Sequence, residues 1–436
     1  MLINSLRNRS FWFIDFIKGG KVRSHFKEIE LCLKNPNSKE VQKIKSDHLK
    51  NLLNHAIKTT PFYKDISKSS SIEDFPVTKK TIIQDNFEKF RSKSYINKKN
   101  FKVSTSGSTG VPFFLYLNKE KRQRNHADTI YFYKILGYDV GNKLYELKVL
   151  GSHNRKSKLK SWIQNIYQLD MSRLSNEKIV NLLNELKSDQ QKNQTMIGFA
   201  SSYETIAQYL EKNNLIYSNL NLNSAVAFSE YLNDYTKTTL SKHLSTPVLS
   251  RYSSEEVGII AQQTLESPDN FVINHASYYV EVLKFDVDEP AKTGELGRIV
   301  VTDLFNYAMP IIRYDTGDIA KCYINSDGIM EFERIEGRKM DIIYDSKGEV
   351  ISSYVVYTKV FKYYHLLKQY QFIQHGKKEY EVKLNLQGTV FDYEDELITN
   401  IKSDFGDDAN VKITYVNEIP PLSSGKRRKV INNYKK

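Results

Sequence analysis

Residues 104–112 read STSGSTGVP, with Ser and Thr hydroxyls crowded around Gly107 and Gly110. A stretch of this kind is either a solvated loop between periodic segments or a cradle, in which glycines let backbone N–H groups approach an anion while the hydroxyls add donors. It lacks the Gly-Lys-Ser/Thr ending of a P-loop, which excludes that reading. Its neighbours carry the next step. On its far side FFLYL at 113–117 alternates like a strand, and on its near side a helical stretch follows PVTKK at 76–80, so the loop lies among packed elements.

Working outward, the two periodicities alternate along the chain. At 46–64, SDHLKNLLNHAIKTTPFYK spaces Leu49, Leu52, Leu53, Ala56 and Ile57 as a helix behind a Ser46 or Asp47 cap and ends it at Pro61. Ile179, Leu182, Leu183 and Leu186 form one helical stripe, and Tyr203, Ile206, Ala207 and Leu210 another. Between and after them AVAF at 225–228 and RIVVT at 298–302 read as buried strands. Such alternation predicts an α/β fold. Beyond about 338 the pattern becomes β-β-α-β: alternation at Tyr380, Val382, Leu384 and Leu386, a helix carrying Tyr393, Leu397, Ile398, Ile401 and Phe405, then Val411, Ile413 and Tyr415. This is the size of a small α+β domain. The expected division is a helical, amphipathic extension at 1–45, a large domain at 46–337 and a small mobile domain at 338–436.

The bulk properties narrow the function. With 436 residues and 40% hydrophobic content the chain can bury extensive cores, and its two cysteines, Cys32 and Cys322, indicate neither a disulfide framework nor a cysteine-based zinc site. A reducing, cytoplasmic setting follows. The net charge of +13 is spread thinly, apart from GKRRK at 425–429, and no nucleic-acid-binding signature accompanies it. Nucleic acid is therefore not an expected partner, whereas anionic small molecules are. At the N-terminus Phe11, Trp12, Phe13, Phe16 and Ile17 sit among Arg7, Arg9, Lys18, Lys21 and Arg23, and Asp15 breaks the apolar run, against a signal peptide. A basic, aromatic helix can lie on an anionic membrane or dock on its own protein. Both readings stay open for residues 1–24, the first placing the protein peripherally at the inner face of the membrane.

Three more clusters carry chemistry. RYSSEEVG at 251–258 sets an aromatic beside two carboxylates, suited to a planar base at Tyr252 and a hard cation at Glu256. MPIIRYDTGD at 309–318 ends an apolar run in Asp315, Gly317 and Asp318, where a carboxylate can grip a ribose diol. PLSSGKRRK at 421–429 offers Lys426 on a glycine loop. Each alone has a bland alternative: a strand end, a Thr-Gly-Asp turn, a basic tail.

In their joint order these motifs resemble the adenylate-forming superfamily of acyl-CoA synthetases, peptide-synthetase adenylation domains and luciferases. Within it the chain is most similar to the phenylacetate-CoA ligase branch and its CapK-like relatives of capsular polysaccharide biosynthesis. HAIKTTPFYKD at 55–65, FPVTKKTI at 75–82, TDLFNYAMPIIRYDTGDIA at 302–320 and IPPLSSGKRRKVI at 419–431 carry the likeness. The resemblance implies a large domain of helix-flanked sheets with a small C-terminal lid. It implies an ATP- and Mg²⁺-dependent ligase that forms an acyl-AMP, releases pyrophosphate and hands the acyl group to CoA or to an amine. Thr105, Ser106, Gly107, Ser108, Thr109 and Gly110 would hold phosphate. Tyr252 and Ser253 with Arg313, Asp318 and Arg338 would surround adenine and ribose. Glu256 would bind Mg²⁺, and Lys426 would reach the acyl carboxylate and the α-phosphate. His153, Gly198, Phe199, Phe228, Ser229 and Glu230 are acid-pocket candidates by the same likeness, and Arg338, Lys339, Met340 and Asp341 a hinge. Ser253 stands where glycine is usual and Glu255 where Thr or Ser is usual, and the contrary reading is a non-catalytic nucleotide-binding scaffold of a polysaccharide machine.

Overall fold

The computed structural model describes residues 2–66, 71–105, 113–148, 150, 154–171, 174–338, 343–351, 355–356, 359–360, 362–420 and 428–434. Three helices come first: α1 (Leu2–Ile17), α2 (Lys21–Lys34) and α3 (Lys39–Thr59). The third begins earlier than its stripe suggests, because Ser38 rather than Ser46 or Asp47 is the cap, its hydroxyl accepting from the Val41 N–H at 3.3 Å. Short helices α4 (Lys80–Asp85) and α5 (Phe87–Phe90) lead to the strands Phe101–Thr105 and Phe113–Leu117, which pair antiparallel with Thr105 opposite Phe113. Then α6 (Lys119–Lys134) runs against α2 and the sheet.

A 12-stranded sheet organises the large part of the molecule. Its first half is parallel. Strands Ile166–Asp170, Leu144–Lys148, Gln194–Phe199, Leu222–Phe228 and Val248–Ser254 lie side by side and point the same way. They are joined through α7 (Lys158–Gln164), α8 (Asn176–Ser188), α9 (Ala200–Lys212) and α10 (Asp234–Leu244). Both expected stripes face inward: Ile179, Leu182, Leu183 and Leu186 of α8 pack with Tyr203, Ile206, Ala207 and Leu210 of α9 over this half. The second half is antiparallel. It starts where Gly258–Gln262 folds back along Val248–Ser254 and continues through Phe271–Ile273, Met330–Arg338, Tyr314–Ile324, Leu296–Asp303 and Tyr278–Leu283, and the twelfth strand, Thr78–Lys79, adds one short parallel pairing to Tyr314–Ile324. Helices packed on a sheet are what the α/β alternation predicts; the antiparallel half is an addition to it.

Buried charge ties α6 to this half. Lys121 meets Asp303 at 2.8 Å with both side chains fully buried, and Arg124 donates to Glu28 of α2, Ser277 and the Ala276 carbonyl. A buried cation is tolerable only when so paired.

From 343 onward the described residues build their own sheet, in the order Asn410–Tyr415, Glu379–Leu386, Leu367–Gln374, Val430–Asn432, with α11 (Glu394–Phe405) packed on it. Tyr235 of α10 joins that core, its ring 5.0 Å from Tyr364.

Candidate active site

The carboxyl ends of parallel strands open a crevice where strand direction changes, the usual ligand position in α/β sheets. Here the change falls at Val248–Ser254, and Tyr252 lies on it. A register shift between Tyr252 and Ser253 marks a bulge at that point, which re-aims side chains locally.

Tyr252 makes the central contact. Its hydroxyl donates to Asp318 Oδ2 at 2.7 Å and lies 3.2 Å from Thr316 Oγ1. Burial first, and then the Asp318 charge, push the phenol well above its ordinary range, so it stays a donor. Thr316 in turn donates to the Ile299 carbonyl and accepts from the Asp318 N–H, while Asp315 accepts from the Gly317 N–H and pairs with Arg298 at 3.1 Å. Gly317 has φ 78°, in the left-handed region glycine favours, and an added Cβ would meet nothing within 4 Å. The turn therefore assigns its carboxylates different work: Asp315 is spent on structure, and Asp318 faces Tyr252. Across the antiparallel ladder Asp318 stands opposite Arg338, of which the backbone alone is described.

The turn at 255–257 presents Glu256, half-buried, with Glu255 exposed. Among the described residues Glu256 has no hydrogen bond or ion pair. Mg²⁺ typically takes one or two carboxylates and completes its shell with phosphate and water, and a lone unpaired carboxylate fits that demand. The turn has a firm base. Tyr278 donates to the Val257 carbonyl at 2.5 Å and accepts from Lys121 at 3.1 Å. Gly258, at φ 115°, allows this approach, since an added Cβ would lie 2.7 Å from the Tyr278 hydroxyl.

The loop at 104–112 lies largely outside the described residues: 106–112 are not described, and Thr105 by its backbone only. Its described ends are informative, because Phe113 stacks at 6.5 Å on Tyr314, four residues before Asp318. Lys426, His153 and residues 339–341 also lie outside the described residues.

Arg313 is engaged away from this group. Its guanidinium forms a bidentate pair with Glu281 at 2.9 and 3.1 Å and donates to the Phe75 and Glu73 carbonyls at 3.1 and 3.3 Å. These contacts tie the 73–75 segment to the sheet.

Among the acid-pocket candidates, Phe199 and Phe228 are register partners at the ends of neighbouring parallel strands, their rings 5.0 Å apart. Ser229 follows at φ 69°. Glu230 accepts from the Ser201 N–H at the start of α9 at 2.8 Å, while its Oε1 is buried without a partner. Gly198 serves packing, since a Cβ there would come within 2.9 Å of the Tyr203 ring and 3.0 Å of Leu147.

Lys429, just ahead of the edge strand Val430–Asn432, reaches across to Glu204 of α9 and meets both carboxylate oxygens, at 2.6 and 2.8 Å. It also lies over Tyr364 and Tyr370. Burial alone would lower this ammonium, but Glu204 and Tyr370 more than offset it, and the group stays charged above its usual range. Gln208, one turn along α9, donates to the Leu367 carbonyl at 3.3 Å. The small sheet is thus docked on α9 beside Ser201 and Glu230. The basic run at 425–429 was the available signal, but nothing in its pattern points to a glutamate 225 residues away.

Comparison with known proteins agrees with this architecture. The CapK C-terminal domain family matches residues 343–433. Over 96% of its length the chain is 23% identical to Protein CapK of Staphylococcus aureus, covering 95% of that protein. It is 24% identical to the phenylacetate-coenzyme A ligase of Escherichia coli (strain K12), across 76% of this chain and 78% of the other. Among solved structures, 2-hydroxyisobutyryl-CoA ligase in the postadenylation state aligns with a TM-score of 0.71 at 16% identity, covering 91% of this chain and 90% of that one. The same enzyme in its thioesterification state aligns at 0.60 and 17% identity, covering 93% and 92%.

Proposed function

With homology to CapK and the phenylacetate-CoA ligases, and the fold of the adenylate-forming acyl-CoA ligases, as premise, we propose that this protein is an AMP-forming acid ligase. In the first half-reaction a carboxylate oxygen attacks the α-phosphorus of ATP, the bond to the β-phosphate oxygen breaks, and pyrophosphate leaves. In the second, a nucleophile attacks the acyl carbon and AMP leaves. We read CoA as the acceptor, with an amine of a capsule or O-antigen precursor as the second reading, favoured by the end-to-end match to CapK. The setting we assign is the cytoplasm.

The observation that carries the proposal is the Tyr252–Asp318 hydrogen bond at the point where the sheet changes direction. Asp318, fixed by Tyr252 and the Thr316 turn, is read as the carboxylate that meets a ribose diol, and Tyr252 offers a ring face. A hydrogen bond to a charged group is worth about 1.5–3 kcal/mol, enough to hold the carboxylate in one orientation before nucleotide arrives. Arg338, opposite in the ladder, and Ser253 beside Tyr252 complete this group. When bound, Mg²⁺ at Glu256 would draw negative charge away from the phosphates.

Residues 46–337 are read as the nucleotide- and acid-binding domain, 338–436 as a lid turning about 338–341, and 1–45 as a helical extension. The loop at 105–110 would hold the phosphates. Phe199, Phe228, Ser229 and Glu230, with Gly198 and His153, are read as the surroundings of the acid. Lys426 precedes the docked Lys429 by three residues, a chain path of at most about 10 Å. We read Lys426 as serving the site from this docked arrangement. The better alignment with the postadenylation than with the thioesterification state supports reading this docked arrangement as the adenylating one.

Acid-dependent exchange of labelled pyrophosphate into ATP, over aromatic, aliphatic, hydroxy and amino acids, tests the reading. Exchange with at least one acid is expected. Lys426→Ala should slow it by orders of magnitude and leave ATP affinity nearly intact, because an ammonium between carboxylate and phosphate acts mainly in the transition state. No exchange with any acid, with ATP still bound, would establish the non-catalytic alternative instead.

A further inference from the structure

Helix α1 has two faces of opposite character. At 100° per residue, Asn4, Asn8, Phe11, Trp12 and Asp15 share the side that packs on the protein. Asn4 donates to Gln191, Asn8 to the Val140 carbonyl, Phe11 meets His126 edge-on, and Trp12 lies against Phe26. Asp15, the helix's one carboxylate, is buried and accepts from the Val22 and Arg23 N–H groups at 3.2 and 3.0 Å, capping α2. Among the described residues, none packs on the opposite side. Leu2, Leu6, Phe13, Phe16 and Ile17 are 61–91% exposed there.

A second helix extends this surface. Arg7 donates to the Trp162 carbonyl at 2.7 Å and lies over the Trp162 ring at 5.4 Å, which fixes α7 beside α1. On α7, Leu159, Trp162 and Ile163 are exposed in turn. The exposed charges on the two helices and on the turn after α1 are all cationic, Arg9, Lys18, Lys158 and Lys160, and the exposed Lys21 opens α2 beside them. A monomer rarely leaves so many large apolar side chains together in water, and such a patch marks a contact surface.

We infer that α1 and α7 together form a docking surface for an anionic lipid bilayer, with the apolar side chains entering the acyl boundary and the basic rim meeting the headgroups. The inference goes beyond the ligase reading and does not depend on it. The charge pattern selects this occupant over a second copy of the chain. A two-fold contact would set each basic rim against its own image, whereas anionic headgroups neutralise it, with attraction that salt screens. Burying the single carboxylate of α1 as a cap removes the one group that would oppose such a surface.

The test uses the full chain, without nucleotide or acid, in co-sedimentation with vesicles of phosphatidylcholine containing phosphatidylglycerol and with phosphatidylcholine alone. Binding to the anionic vesicles, falling steeply with salt, is expected. Phe13→Ser with Phe16→Ser should lower the partition coefficient by at least about tenfold, given the cost of each lost apolar group, and Arg9→Gln with Lys18→Gln should remove the preference for anionic lipid. All four side chains are exposed, so thermal unfolding should not change. Of the two tryptophans, Trp12 is packed and Trp162 is 62% exposed. Adding vesicles should blue-shift emission in the wild type but not in Trp162→Phe. Equal binding to both vesicle types, absence of binding at low salt, or self-association abolished by the Phe13/Phe16 changes without vesicle binding would overturn the inference.

Discussion

Replacing Lys429 with methionine keeps the length of the side chain and removes the charge that meets Glu204. The two N–O distances, 2.6 and 2.8 Å, describe a well-formed pair, and the side chains are 29% and 15% accessible. A fully exposed ion pair contributes about 0–1 kcal/mol, and removal of one partner of a buried pair costs about 3–5. Between these limits about 2 kcal/mol is the working figure, a factor of about 30 in the docking equilibrium. If adenylation proceeds from the docked arrangement, pyrophosphate exchange should fall by up to that factor. ATP affinity should stay within about twofold, because Tyr252, Asp318 and Glu256 are untouched. Transfer from preformed acyl-AMP to the acceptor should not slow, since that step would use another orientation of the small domain. Glu204→Gln should reproduce the loss, and the double variant should be little worse than either single one, giving a coupling of about 2 kcal/mol in the cycle. Additive single effects, or equal slowing of adenylation and transfer, would refute the view that this pair sets domain docking.

Three other outcomes follow from the same geometry. Tyr252→Phe leaves Asp318 without its donor at 2.7 Å and should weaken nucleotide binding about tenfold, near the lower end of a charged hydrogen bond; calorimetry with AMP checks this, and unchanged affinity would detach the pair from the nucleotide. Gly258→Ala places a Cβ 2.7 Å from the Tyr278 hydroxyl at φ 115° and should cost about 1–3 kcal/mol of stability, read as a lower urea midpoint. Stability should also fall in mild acid. Burial holds His25 and His275 down at about 4, with Arg124 adding to the effect at His25 and Lys45 at His275. Below about pH 6.5 the unfolded chain binds protons that the native protein refuses, so each histidine removes up to about 1.4 kcal/mol per pH unit until pH 4. For Glu28, burial would raise the carboxyl, but the His48 hydrogen bond and the Arg124 charge prevail and hold it at about 2; its contribution is present above about pH 4.5 and is lost as pH falls toward 2. Urea midpoints from pH 7 to 4 should flatten in His275→Gln, and an unchanged slope there would count against the burial argument.

What could be read from the residues and what could not divides along a physical line. The stripes of α8 and α9, the FFLYL strand and the RIVVT strand carry their own period, because each buries one face against whatever lies beneath it, and local pattern is enough to find them. The start of α3 was missed because Lys39–Lys45 adds only Val41 to its buried face and the cap at Ser38 competes with equally good capping residues downstream. At the site, resemblance supplied roles, but the partners come from sheet order. Tyr252 and Asp318 are 66 residues apart and sit on strands with three others between them in the sheet, so no local window of sequence pairs them. Arg313, five residues before Asp318 in the same motif, is drawn off by Glu281 on another strand. Lys429 sits in a run that reads as a basic tail, and Glu204 looks like any solvent-facing residue of an amphipathic helix. A charge pair between domains has no period and no spacing rule, so no window of sequence contains it. The same holds for Asp15. In sequence it interrupts an apolar run and argues against a signal peptide, while in the fold it turns inward to cap α2 and leaves the outward face of α1 apolar. Its effect on function therefore depends on the direction in which its side chain points, which the neighbouring helix determines.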